Sequence, residues 1–413
     1  MKQTIRNVSF IECFFIILCT LYFIIPEAQK LFPFYYIIVV ETLYSIYLII
    51  TNCINKRVFA RMLFLVIVVA LMYTFLTEAR SISDDVALFG LKRFISKFVQ
   101  YSCMFFPLLL LKRCVTACTK VQNYVIIVVS LLAMLVSCKA ILNLIAINPL
   151  AARDFGFSAS DVELVDFIAP YPFVYGMSFV FVATFFFLKF ASKNDNNLFR
   201  IIVIFLFLFF FYFLLKSQFT LSLLTSIISI LVVLLHHLKY PATKFVFSLF
   251  VFVIFIFVPY ILEYLVIPYL PSMLALRFRE IQEFFLGTGS VDSDLSGRLT
   301  LYGKTIMAFI DSPLIGNRYL DFDGHATYLT IWADLGFFGG AIIIYLIISA
   351  KRIVESYLDV LSVCFFPFFI HLILNGLTNP IHASLQIYIC VWFLIPLSLV
   401  TFKDKLKIWN LQR

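Results

Sequence analysis

Apolar stretches long enough to cross a bilayer recur along the whole chain, with short polar segments between them. A run of about 18 or more predominantly apolar residues reads as a membrane-spanning helix, because about 1.5 Å of rise per residue then covers the roughly 30 Å hydrocarbon layer. Twelve such segments are predicted, near 8–25, 31–51, 58–77, 94–111, 121–147, 169–189, 199–215, 218–237, 242–264, 326–349, 361–378 and 384–402. The expected fold class is all-α: a polytopic membrane protein of about 12 transmembrane helices, its 413 residues forming a single integral membrane domain. No Gly/Ser linker, repeat or low-complexity block divides it. The first segment, VSFIECFFIILCTLYFII, follows Lys2 and Arg6. It is expected to be retained as a helix, because no small-residue cleavage site comes after it.

Composition points the same way: 63% of residues are hydrophobic and 13% charged, against roughly 45–50% and 25% in soluble domains. A net charge of +9 would suit nucleic acid in a soluble chain, but here its distribution assigns it to topology. With the N-terminus in the cytoplasm, 19 of the 32 Lys and Arg fall in short inside loops or termini, among them Lys112, Arg113, Lys351 and Arg352. That is the positive-inside bias. Both termini are therefore expected in the cytoplasm, with no nucleic-acid partner. The nine cysteines are scattered and none lies in the longest polar loop, which favours apolar packing over a disulfide framework. Cys114 and Cys118 have no second pair with which to hold a metal.

Three outer segments stand out. Residues 78–97 carry Asp84 and Asp85, then Lys92, Arg93 and Lys97, with apolar residues at helical spacing. Residues 148–170 are acidic. The third, about 265–325 between spans 9 and 10, is the longest polar stretch. Within it, PYLPSMLALRFREIQEFFL (268–286) has the pattern of an amphipathic helix, and SGRLTLYGKTIMAFI (296–310) that of a second, with Ser296 as a possible cap. The same loop gathers Arg277, Arg279, Arg298, Lys304 and Arg318 on the outer face, against the usual charge bias. Arginine forks grip phosphate oxygens in pairs. Ion pairing with Glu280, Glu283, Asp292, Asp294, Asp311, Asp321 or Asp323 in the same loop is the competing use of each cation.

The stretch SGRLTLYGKTIMAFIDSPLIGNRYLDFDGHATYLTIWADLGFFGG resembles the O-antigen polymerase and ligase superfamily. The matching elements are Gly297–Arg298 at a loop helix, the Pro313–Gly316 turn, His325 with Tyr328, and the Leu335–Gly339 helix motif. In this family a further arginine, often in a Ser-Arg pair, occupies a short outer turn. The corresponding turn here, LLKSQFTLSLL, has Lys216 before Ser217 and no arginine, so the charge there is a point and not a fork.

The resemblance implies glycosyl transfer on the periplasmic face of the inner membrane by a GT-C-like membrane glycosyltransferase. Donor and acceptor would be glycans linked through pyrophosphate to undecaprenyl, with no nucleotide sugar, cofactor or metal. A chain-length regulator and the surrounding lipids are further possible partners. Consistent with this, the chain has no P-loop and no G-x-G-x-x-G in a strand-to-helix setting. Such chemistry needs cations aimed at the departing diphosphate and a base near neutrality for the acceptor hydroxyl. Arg298 is expected to serve the first need and His325 the second, with Asp321, Asp323 and Asp84 as rival bases. Lys216, Arg277, Arg279, Tyr302, Lys304, Arg318 and Tyr328 are expected to touch diphosphate or glycan.

Joining of O-antigen repeat units by a polymerase is the first expectation. A ligase that moves glycan to lipid A-core is the alternative, and a lipid-linked glycan transporter or flippase is the rival from another class. Transporters tend to show internal repeats, and no six-plus-six similarity is visible here. Among the other histidines, His236 and His237 read as interfacial anchors, and His371 and His382 flank LNGLTNP with no zinc-ligand spacing. Glu41, Lys139, Glu263 and Asp334 lie in or near spans, where charge is costly and often functional, and Asp334 sits in the motif helix after His325; Glu12 and Glu41 could instead pair with neighbouring helices.

A prediction follows for topology. Alkaline phosphatase fused at residue 290 should be active, and a fluorescent protein fused after residue 413 should glow. The reverse pattern would overturn the orientation.

Overall fold

The computed structural model describes residues 8–26, 28, 34–50, 56–78, 94–95, 97–98, 101–102, 104–147, 172–190, 197–217, 219–238, 240–270, 272–286, 294–316, 326–379 and 384–405. All of the regular structure among them is helical, and none of it is strand. Helix α1 (Phe10–Ile24) is capped by Ser9, whose Oγ accepts the Glu12 amide at 3.1 Å. Helices α2 (Phe34–Ile50) and α3 (Lys56–Glu78) follow, then α4 (Phe106–Ala117) and α5 (Lys120–Ile147). A capping box opens α5. Gln122 N–H donates to Thr119 Oγ1 at 3.2 Å, and Thr119 N–H donates to Gln122 Oε1 at 2.8 Å. Next come α6 (Pro172–Phe190), α7 (Asn197–Ser217), α8 (Thr220–His237) and α9 (Pro241–Ile261). The polar loop contributes α10 (Ser272–Leu286) and α11 (Asp294–Asp311). Three more helices complete the set: α12 (Thr327–Leu358), α13 (Ser362–Thr378) and α14 (Leu385–Thr401).

Five helical stretches among the described residues are long and apolar enough to cross a membrane: Lys120–Ile147, Pro172–Lys189, Asn197–Ser217, Pro241–Tyr269 and Thr327–Thr378. The last is a hairpin. The chain reverses at Asp359 (φ 50°), and the Thr327 amide meets the Asn379 carbonyl at 3.3 Å. Shorter apolar helices run Phe10–Ile24, Ala60–Thr74, Leu221–His236 and Leu385–Thr401. The chain is thus an all-α membrane protein.

Apolarity on every side marks a helix as either buried or lipid-facing, and the packing sorts the helices. Of the span in α6, 78% is buried, against 11% of that in α9. Helix α14 is buried along nearly its whole length and crosses α6 at Gly176, where an added Cβ would lie 2.8 Å from Gln386 Cβ. A small residue here lets the two backbones approach closely. Phenylalanines fill the interior, with Phe186 against Phe368 at 5.6 Å and Phe365 against Trp392 at 6.0 Å. Helix α9 lies at the rim. Pro259 withdraws one backbone donor, and the helix then loosens into a π-turn (Leu262–Val266) and a 3₁₀ turn (Ile267–Tyr269).

Several expectations need correction. The segment expected as one span at 94–111 contains a turn at Met104 and Phe105, and α4 starts only at Phe106. Pro107 fits the first turn of a helix better than its interior. Helix α4 also runs on through Lys112 and Arg113, which were expected in a basic loop. Arg113 is buried in the bundle, with Nε 2.7 Å from Glu12 Oε1 and an Nη 2.9 Å from Oε2, while Tyr44 O–H donates to the same carboxylate at 3.3 Å. Helix α12 likewise passes the expected end at 349 and includes Lys351 and Arg352; Lys351 pairs with Glu355 one turn on at 2.6 Å. Ser296 lies inside α11, which starts at Asp294, and so does not cap it. At the far end Asp404 accepts a hydrogen bond from Lys120 at 2.7 Å, and that ammonium holds its carboxyl below the usual carboxylate value.

The fork between Arg113 and Glu12 gives a prediction. Arg113→Ala strands a buried carboxylate and should cost about 3–5 kcal/mol. The paired change Glu12→Met with Arg113→Leu should recover most of that loss. Thermal unfolding of the purified protein reads both; equal damage from the single and the paired change would show that the charge balance is immaterial.

Candidate functional site

Helix α11 stops at Ser312 and Pro313. The chain then turns tightly, the Gly316 amide reaching the Ser312 carbonyl at 2.9 Å with Gly316 at φ +81°. This turn lies against a break in α12. At Gly336 the helix adopts φ 63°, ψ −163°, a conformation essentially reserved for glycine. The break frees the Phe337 amide, which donates to the Pro313 carbonyl at 2.7 Å. The two backbones touch directly: a Cβ on Gly316 would strike the Asp334 carbonyl, and one on Gly336 would strike the Leu314 carbonyl. Two motif elements separated in sequence thus form one joint. An aromatic clasp closes its side, with Phe309 5.4 Å from Trp332 and Trp332 6.0 Å from Phe337, both edge-on.

A second joint forms at the C-terminal end of α13. The last carbonyls of a helix have no partner within it. Here the Thr378 carbonyl accepts the Tyr302 hydroxyl of α11 at 3.2 Å, and the Asn379 carbonyl accepts both Thr327 donors, N–H at 3.3 Å and Oγ1–H at 2.9 Å. Adjacent carbonyls therefore anchor the helix that bears Arg298 and the chain that enters α12 just after His325. Arg298 lies one turn before Tyr302, on the same stripe of α11. His325 and Arg318 fall outside the described residues, as do His382, Asp84, Asp321 and Asp323. The side chains of Arg298, Arg277, Glu41 and His237 lie outside them too.

The other expected residues occupy different settings. Tyr328 turns inward. Its ring covers Gly376, where an added Cβ would strike it, and its hydroxyl is buried with no hydrogen-bond partner among the described residues. With Tyr101, Met104, Leu372 and Tyr388 it lines a cavity of about 10 Å3, room for about one water molecule. Lys304 is exposed on α11 next to Gly303, which faces open space. Arg279 is exposed on α10, and that helix packs against α11 and the end of α9. Gln282 of α10 is tied to Glu263 at 3.3 Å. Lys216 ends α7 and rests 5.8 Å from the ring of Tyr212 on its own helix.

His371 has no zinc-ligand spacing in the sequence, yet it lies at the centre of a polar knot. Its ring is fully buried, with Nε2 2.9 Å from Ser178 Oγ of α6 and Nδ1 2.8 Å from Ser229 Oγ of α8. Both ring nitrogens are thus engaged by hydroxyls. The usable signal was the spacing: His371, Asn375 and Asn379 recur every four residues along an otherwise apolar helix. Among the described residues no group of three His, Cys, Asp or Glu side chains is placed to hold a metal ion. No protein-family model matches the sequence, and no curated protein matches it either.

The joint at Gly336 is testable by adding one methyl group. Gly316→Ala and Gly336→Ala should each lower the melting temperature sharply, since the backbone strain alone is about 1–3 kcal/mol before any collision. Gly303→Ala, in open space inside a helix, should be neutral or stabilise by up to about 1 kcal/mol. Equal losses at all three glycines would rule out a special backbone contact.

Proposed function

We propose that the chain is an O-antigen polymerase, joining repeat units carried on undecaprenyl pyrophosphate at the periplasmic face of the inner membrane. The observation that carries this reading is the shared anchor. The Arg298 helix and the chain leaving His325 hydrogen-bond to neighbouring carbonyls at one end of α13, while the Pro313–Gly316 turn seats in the Gly336 break. Two motif elements, the turn and the break, touch directly, and the helices that lead from Arg298 and from His325 share one anchor, which supports a single catalytic unit. In this reading twelve helices cross the membrane, both termini are cytoplasmic, and the long loop is periplasmic.

The reaction joins an acceptor sugar hydroxyl to the anomeric carbon of the donor glycan. The new carbon–oxygen bond forms as the bond from that carbon to the diphosphate oxygen breaks. The polyprenyl diphosphate leaves with the electron pair. Arg298 meets the charge that grows on it, with Lys216, Arg277, Arg279 and Arg318 in support. His325 takes the proton from the attacking hydroxyl. The carbonyl end of α13 is the negative pole of that helix. It favours both the arginine and the imidazolium formed when His325 is protonated.

Arg298→Ala should abolish long-chain lipopolysaccharide and leave core capped with a single repeat, read as a band pattern on a gel. Normal long-chain banding would defeat the assignment. Uncapped core with accumulated lipid-linked polymer would identify a ligase instead, and intracellular build-up of single lipid-linked units a flippase.

A further inference from the structure

We propose that His371 and Asn375 are positioning residues for the outer site, holding the end of α13 on which both site elements hang. The proposal rests on the reading above for its activity readout, while its geometric readout stands alone.

Helix α13 needs such a clamp. Pro367 removes a backbone donor one turn before His371, so the C-terminal half is less firmly tied to the rest of its own helix. From His371 onward a ladder replaces that tie. Ser178 and Ser229 reach the ring from two different helices, and Phe179 covers it at 4.3 Å. One turn on, the Asn375 amide donates to the His371 carbonyl at 3.0 Å and lies 3.2 Å from Nε2. Another turn on, the Asn379 amide donates to Asn375 Oδ1 at 3.3 Å and to Thr378 Oγ1 at 2.9 Å. The next bonds leave the helix: Thr327 to the Asn379 carbonyl and Tyr302 to that of Thr378.

The proton count explains why histidine suits the inner end. Ser178 Oγ lies 2.6 Å from the Tyr175 carbonyl and Ser229 Oγ 2.7 Å from that of Thr225. Each serine has one proton to give. A neutral ring donates from one nitrogen and accepts at the other, so one serine receives the ring proton while the other turns its own toward the ring. Both contacts then form with no net charge in the apolar core, and α6, α8 and α13 are fixed together.

Hydrogen–deuterium exchange on the full-length protein in lipid nanodiscs tests the ladder. His371→Phe keeps the ring volume and loses both bonds; Asn375→Leu keeps the shape and breaks the middle rung. Both should speed exchange about tenfold in peptides covering 326–330 and 299–305, leaving α5 unchanged. His371→Gln, which retains one donor and one acceptor, should restore part of the protection. Ser229→Ala is the milder variant should either of the first two fail to fold, and it should give a smaller rise in the same peptides. Unchanged exchange in both peptides in the folded variants overturns the proposal.

Transfer between lipid-linked units is the second arm. The variants should lower kcat about tenfold with KM within twofold and an unshifted pH profile. A shifted profile would mean that His371 itself exchanges the reaction proton, which also overturns a purely positioning role. Should the unaltered protein transfer no glycan while exchange responds as described, the functional reading fails and the ladder stands.

Discussion

The fold around the site depends on one backbone contact, the amide of Phe337 donating to the carbonyl of Pro313. In hydrocarbon no water is present to satisfy a freed peptide group, so irregular backbone survives only where other protein covers it. The break in α12 at Gly336 and the turn at Gly316 are each unstable alone for that reason. Pressed together they satisfy each other, and two glycines let them meet without side chains between. The turn fixes where α11 ends, and so where the face carrying Arg298 and Tyr302 lies. Trp332 packs between Phe309 and Phe337 along the side of the joint.

Polar groups elsewhere in the apolar interior follow the same logic at longer range. Glu12, Arg113 and Tyr44 tie α1, α4 and α2 in a fork-to-carboxylate contact away from solvent. Packing alone holds neighbouring helices weakly in lipid, since lipid tails are as apolar as leucine; directional bonds set which helices meet and at what depth. His371 with Ser178 and Ser229 does this for α13, α6 and α8. The second cluster continues through Asn375 and Asn379 to the carbonyls that receive Tyr302 and Thr327.

For the proposed transfer this arrangement separates two tasks. Rigid helices buried in the bundle supply position, and the loop helices α10 and α11 at its edge supply cations. Helix α9, little buried among the described residues and loosened after Pro259, borders that loop. The inward turn of Tyr328 over Gly376 gives that residue a place in the packing between α12 and α13.

Much of this was legible in the chain of residues. Apolar run length located most of the helices, because hydrocarbon thickness sets a minimum that few other structures reach. The helical periods of 268–286 and 296–310 survive as α10 and α11, and Glu12 does pair with a neighbouring helix as its position in a span required. Other features depended on contacts between residues far apart in sequence, which no local pattern encodes. Arg113 reads as a loop anchor until Glu12, about a hundred residues earlier, is seen beside it. Gly336 reads as a small residue in a helix until the Leu314 carbonyl occupies the space of its side chain. His371 reads as a histidine without ligand spacing beside LNGLTNP until serines from two other helices close on its ring. Solvent and lipid act on each residue by type, so run length and period are visible locally; hydrogen bonds between helices act on pairs, and only the folded chain selects the pairs.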